Sequence, residues 1–222
     1  MLQQKIKNHV FWGECCLDMK TIALILYFII IANSLCYGAF EYKTSSVQSA
    51  GLCGIKTLCK EEANAIFYNP ALIGSTKNIE IDTFHTQIYD LNEFANNVVS
   101  CSLPINKNKN YIGFGYNGFG QNNFYKEDVL ALACNINLTN KFKIGLNYKN
   151  MFLDLGEMNT STHIMGFDVG FKITTSEKSF VGCMLSNINR PKIGKTNPEE
   201  IYRDFNIGYS YTPIKNIRLM VE

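Results

Sequence analysis

Three groupings in this 222-residue chain have the residue types for chemistry. In "GFGYNG", Gly113, Gly115 and Gly118 match the G-x-G-x-x-G spacing that lets a backbone approach a pyrophosphate. That chemistry also needs a helix opening at once, so that its free amides face the anion. A polar link and another alternating run follow instead, and no nucleotide site is expected. The second grouping is His85 and His163, too far apart in sequence to suggest a metal site or a general base. Ser and Asp residues are plentiful, but no nucleophile-elbow motif presents a serine. The chain is read as non-enzymatic, with no catalytic residue, metal or cofactor. The third grouping is Lys143, Lys149, Asp168, Lys172 and Asp204, charged residues at the polar positions of otherwise apolar alternating runs.

The elements that would position these charges are strands. In "VLALACNINL", Leu130, Leu132, Cys134, Ile136 and Leu138 alternate with Ala131, Ala133, Asn135 and Asn137. "FKIGLNYKNMF" sets Phe142, Ile144, Leu146 and Tyr148 against Lys143, Gly145, Asn147 and Lys149, and "IMGFDVGFKI" and "DFNIGYSY" repeat the pattern. A period of two is the signature of a strand with unlike faces, and helical spacing fits none of these runs. Such runs predict nine strands near 79–89, 97–105, 110–117, 128–139, 142–153, 162–174, 179–188, 204–212 and 217–222. Several have the 9–11 residues that cross a bilayer when tilted. Short links at 106–109, 139–141, 175–178 and 213–216 alternate with longer ones near 90–96, 118–127, 154–161 and 189–203. This asymmetry suits an outer-membrane barrel with tight periplasmic turns and larger outer loops.

A soluble antiparallel barrel or sandwich has the same period. It would carry charge on its polar face, whereas here that face is largely Gly, Asn, Ser and Ala. The expectation is therefore an all-β fold, an antiparallel up-and-down transmembrane barrel, with Tyr111, Tyr148, Phe152 and Tyr211 in an aromatic girdle. Gly113 and Gly115 then fall on the lumen side, opposite Ile112, Phe114 and Tyr116. The five charges above face the lumen too, where two readings stand: they pair to hold the wall together, or they select a solute.

Composition agrees. Phe (15) and Tyr (12) dominate over a single Trp, and only five Pro are present, a mix that favours strands and turns. The net charge of +2 comes with no basic cluster, so nucleic acid is not expected as a partner. Met19-Lys20, the apolar run "TIALILYFIIIA" and the small residues Cys36 and Gly38 read as a secretory signal cut before Ala39. An uncleaved anchor is the alternative, although the run is shorter than the roughly 20 residues of a span. Residues 1–38 are thus assigned to a signal peptide with an upstream extension. The mature cysteines, Cys53, Cys59, Cys101, Cys134 and Cys183, contain no C-x-x-C pair. Cys53 and Cys59 either pair or stay free.

Between the signal and the first strand lies "AGLCGIKTLCKEEANAIFYNPALIG". Ala50, Gly51 and Gly54, then Glu61, Glu62 and Ala63, then Phe67, Tyr68, Asn69, Pro70, Ala71 and Leu72 resemble the N-terminal signature of the FadL-like and PorV/PorQ-like outer-membrane proteins. Leu52-Cys53 and Thr57-Leu58-Cys59 stand where those families usually have a glycine-rich run. The resemblance implies that residues 39–77 form a plug in the lumen or periplasmic mouth of a barrel built from 78–222. Pro70 lacks an amide donor and biases Asn69 to an extended conformation, ending any helix before it, so that Phe67, Leu72 and Ile73 can pack inside. The plug is either structural or a hatch for an apolar ligand.

The resemblance further implies an outer-membrane location and lipid as a partner. Two functions follow: binding or transport of hydrophobic small molecules such as long-chain fatty acids, or an accessory barrel for exported proteins in a type IX-like secretion system. A soluble periplasmic binding module is the third possibility. The sequence stops inside the ninth strand, which reads as a truncated or split frame, or as a strand count that is off by one.

Overall fold

The computed structural model describes residues 38–222 apart from 42, 75, 106–109, 122–123, 157–159 and 195–197. The expected signal segment, except Gly38, and the 106–109 turn lie outside the described residues. Nine strands form one antiparallel meander in which each pairs with its neighbours in chain order: β1 (Glu80–Gln87), β2 (Ala95–Ile105), β3 (Asn110–Gln121), β4 (Tyr125–Asn137), β5 (Phe142–Leu155), β6 (Thr160–Ser176), β7 (Ser179–Leu185), β10 (Phe205–Ile214) and β11 (Ile217–Val221). A two-residue pairing of β8 (Lys192–Ile193) with β9 (Glu199–Glu200) sits in the long link after β7. At two residues per strand it is too short to carry a period-two signal.

The all-β expectation holds. Closure does not, because β1 pairs only with β2 and β11 only with β10 among the described residues, leaving the sheet open at both edges. Two links expected to be long are also short. β3 and β4 stay in register out to Gln121↔Tyr125, and β5 and β6 out to Leu155↔Thr160. Polar residues there, such as Asp128 opposite Gly118, continue the ladder. Loss of hydrophobic alternation does not end backbone pairing. At the other end, Thr139 closes the β4–β5 turn with its hydroxyl, accepting from Lys141 N at 3.2 Å and Phe142 N at 3.0 Å.

Period-two alternation gives the sheet unlike faces. Leu130 and Leu132 are 48% and 47% exposed, whereas Ala131 and Ala133 between them are 6% and 3% exposed. The face carrying the small and polar residues is covered by residues 38–74 and is termed inner here. That segment contains one short helix, α1 (Val47–Gly51), and two 3-10 turns, Ala63–Phe67 and Pro70–Leu72. Ser46 caps α1, its hydroxyl accepting from Ser49 N at 3.1 Å. The main core lies between segment and sheet: Ala65, Ile66, Tyr68, Leu72 and Ile73 pack with Tyr111, Ala131 and Ala133. Tyr111, expected in an outward girdle, is therefore turned inward, 5% exposed, its hydroxyl donating to Thr76 O at 3.2 Å. Tyr148, Phe152 and Tyr211 do lie on the outer face, where Tyr148 packs against Phe167 with ring centroids 5.4 Å apart.

Candidate functional site

The Asn-Pro-Ala block is where segment and wall come closest. Asn69 is extended (φ −158°, ψ 102°), and its side-chain oxygen accepts from Ala71 N at 3.0 Å, which caps the 3-10 turn opened by Pro70. The chain stops one turn at Tyr68 and starts another, so Asn69 works as a corner. Ala71, Leu72 and Ile73 have no exposed surface, and Phe67 packs against the same core. The wall makes room with glycine. A Cβ at Gly145 would stand 2.1 Å from the Pro70 carbonyl carbon, and one at Gly170 would stand 2.1 Å from Asn69 Oδ1. Gly113 and Gly115 likewise lie beneath Ile66, Phe67 and Ile73. Two glycines of the G-x-G-x-x-G pattern thus serve packing.

The segment has little regular structure, so its backbone groups need partners from elsewhere. Inner-wall side chains supply them. Asn135 Nδ2 donates to Ala71 O (2.8 Å) and Ile73 O (3.0 Å), and Asn147 Nδ2 to Ile66 O (2.8 Å). Asp82 accepts from Ala63 N at 2.8 Å and Asn64 N at 3.3 Å. Arg218 donates to Leu58 O, and Glu222 accepts from Thr57 N at 2.8 Å and the Thr57 hydroxyl at 2.7 Å. Among the described residues, three buried amide atoms in this seam, Asn69 Nδ2, Asn135 Oδ1 and Asn147 Oδ1, have no hydrogen-bond partner.

The five charges predicted to share one face are on the inner side, and all are engaged. Lys143 and Lys172 both reach Glu61 Oε1, at 2.7 and 2.6 Å. Lys149 pairs with Asp168 at 2.9 Å, and Asp168 also accepts from Asn187 N at 2.8 Å. Asp204 pairs with Lys56. Three of the five therefore bind the N-terminal segment, and Lys149 and Asp168 bind each other across neighbouring strands. Burial alone would raise the Glu61 pKa, but the Lys172 and Lys143 ammonium groups outweigh it and hold the carboxyl below its usual value of 4.5. Tyr68, whose hydroxyl donates to Glu62 at 2.6 Å, is pushed well above 10 by burial and then by the Glu62 carboxylate. Cys59 is pushed up to about 12 by burial, with Glu62 and Glu222 adding to it and Arg218 opposing. Neither is suited to nucleophilic work. Cys53 and Cys59 are both free, the first exposed and the second buried.

Sequence reasoning missed Lys43, Asp82, Asn135, Asn147 and Arg218 as wall or segment contacts. The signal for the asparagines was present: uncharged polar residues on the inward phase of strands whose outward phase is apolar. His85 and His163 lie on the exposed side, beside Asn97 (2.8 Å) and Asn150 respectively. Among the described residues, no three His, Cys, Asp or Glu side chains group as metal ligands, and no helix is long and apolar enough to cross a membrane. What fold and site define together is an antiparallel sheet that binds its own N-terminal segment through polar inner-wall side chains. No family model, curated protein or solved structure matches the chain.

Proposed function

We propose that this is a non-enzymatic outer-membrane protein whose outer face meets lipid and whose N-terminal segment fills the interior, in a wall that binds or passes hydrophobic small molecules. The observation that carries the reading is the polarity of the two faces. The outer face exposes Leu130, Leu132, Leu146, Met165, Phe167, Ile207 and Leu219, each at least 42% exposed, while buried Asn, Ser and Asp line the inner one. An apolar surface this continuous is unusual for a monomer in water and is the normal exterior of a membrane barrel.

Its dimensions agree. From Leu130 to Leu138 there are eight residue steps, about 26 Å along the strand at about 3.3 Å each. Tilts of 35–45° would make that about 20 Å along the bilayer normal, near the apolar band of about 25 Å in outer-membrane barrels. Beyond the belt the outer face turns polar: the Tyr116 hydroxyl donates to Asp128 at 2.6 Å, and Lys126 pairs with Asp128 at 3.1 Å. In a bilayer the open edges of β1 and β11 would need strand partners, because lipid cannot satisfy their backbone groups. The choice of an apolar cargo rests on the resemblance of the 61–74 stretch to the FadL-like proteins.

The test is expression in a double-membraned host, fractionation, and an uptake assay with a labelled long-chain fatty acid in a strain lacking its own importer. Recovery in the outer membrane, a gel mobility that shifts on boiling, and restored uptake are expected. A soluble periplasmic product would overturn the membrane reading, and membrane recovery without uptake would overturn the cargo.

A further inference from the structure

No segment of the sequence is rich in lysine, yet the meander gathers lysines at one end of the sheet. Lys141 sits in the β4–β5 turn, Lys178 in the β6–β7 turn, Lys215 in the β10–β11 turn and Lys77 in the stretch that leads into β1; all four are exposed. Neighbouring strands lie about 4.8 Å apart, so turns two strands apart recur about every 10 Å. That is close to the Debye length of about 8 Å at physiological salt, and the fields of adjacent lysines overlap.

Two features set these lysines apart. The first is the lack of a compensating charge. Lys126, Lys143, Lys149, Lys172 and Lys192, in the strands and the link after β7, each pair with a carboxylate. Among the described residues the four rim lysines pair with none, and Lys178 donates instead to a backbone carbonyl, Pro213 O, at 3.1 Å. Glu177 is the one acidic residue in the described links at this end, so four lysines against one glutamate leave the rim at +3. At the opposite end the signs mix. Lys126 pairs there with Asp128 at 3.1 Å and Lys192 with Glu200 at 3.6 Å, and Asp154 and Glu199 are exposed.

The second feature is position. The apolar outer face runs up to this rim, where Ile79, Leu138, Ile214 and Ile217 are all exposed and lie within three residues of Lys77, Lys141 or Lys215. A lysine beside an apolar belt lays its stem along the apolar surface and holds its ammonium at the polar boundary. In a bilayer that boundary is the layer of lipid headgroups.

We propose that this rim is a docking surface for anionic phospholipid, whose headgroups Lys77, Lys141, Lys178 and Lys215 hold in the leaflet they meet. It rests on the reading that the outer face lies in lipid, and it adds the class of lipid. A lysine at an anionic leaflet strengthens the attraction about fivefold. Only one of the two leaflets meets the rim, so over both the preference averages to about threefold.

The test is the full chain reconstituted in phosphatidylcholine bilayers with a trace of spin-labelled phosphatidylglycerol or phosphatidylcholine. Electron spin resonance then measures the fraction of each lipid slowed against the protein. Both lipids are expected to show a slowed fraction, with phosphatidylglycerol held about threefold over phosphatidylcholine at low salt. That preference is expected to disappear at about 1 M salt, where the Debye length falls to about 3 Å. The combined variant Lys77→Gln, Lys141→Gln, Lys178→Gln and Lys215→Gln is expected to lose the preference and keep the slowed phosphatidylcholine. Lys126→Gln with Lys192→Gln, at the opposite end, is expected to keep both. Slowed lipid without a preference for phosphatidylglycerol, or a preference that survives in the combined variant, would overturn this proposal and leave the membrane reading standing. No slowed lipid of either kind would overturn both.

Discussion

Replacing Glu61 by Gln should loosen the N-terminal segment in a way that depends on pH. One carboxylate oxygen serves two ammonium groups, Lys143 at 2.7 Å and Lys172 at 2.6 Å, and the three side chains are 18–21% exposed. Breaking a buried ion pair by removing one partner costs about 3–5 kcal/mol. Partial exposure screens the charges, and the Gln oxygen can still accept from one lysine, so about 2–3 kcal/mol is expected at pH 7. The pH dependence follows from the direction of the shift. The folded carboxyl titrates below its usual 4.5, so its contribution is fully present above the unfolded value and is lost as pH falls through the folded one. The wild type should thus converge on the variant in acid. Urea unfolding of both chains in detergent, followed by tyrosine fluorescence at pH 7 and at several values below 4.5, measures the difference directly, and the other carboxylates cancel between them. A difference under about 0.5 kcal/mol at pH 7, or one that persists undiminished in acid, would refute the claim that Glu61 anchors the segment through charge.

Further outcomes follow from the same geometry. Gly145→Ala should cost about 1–3 kcal/mol, because the new Cβ meets Pro70 backbone at 2.1 Å; Gly51→Ala, with nothing within 4 Å, should be neutral or stabilising by up to about 1 kcal/mol. Urea unfolding compares the two. Leu132→Arg should cost about 2–4 kcal/mol if the outer face sits in lipid and stay within about 0.5 kcal/mol if that face meets water. Maleimide labelling at pH 7, mapped by mass spectrometry, should modify the exposed Cys53 quickly and spare Cys59, whose thiol is buried and pushed up to about 12.

Strands were the most legible part of this chain, because the period of two survives in nine segments and each residue's face follows from its parity. Lys143, Lys149, Asp168 and Lys172 could be placed on the inner wall on that ground alone. Their partners could not: Glu61 is 82 residues from Lys143 and 111 from Lys172, and alternation carries no information on which element will cover a face. Tyr111 shows the limit of composition, since an aromatic near a strand end suggests a girdle while its odd position, in phase with Gly113, already pointed inward. Strands run beyond the apolar belt, further than the alternation implies, because backbone pairing needs no hydrophobic residue. The β8–β9 pairing is two residues long and lies below any periodic signal.

The central claim is that the apolar outer face meets lipid. Nitroxide labels at Leu132, Met165 and Ile207, with Lys192 in the long link as a water-exposed reference, test it in reconstituted bilayers by their collisional relaxation with oxygen and with a water-soluble nickel chelate. The account predicts high oxygen and low nickel accessibility at the three outer positions and the reverse at Lys192. Nickel accessibility at Leu132, Met165 and Ile207 equal to that at Lys192 would contradict it.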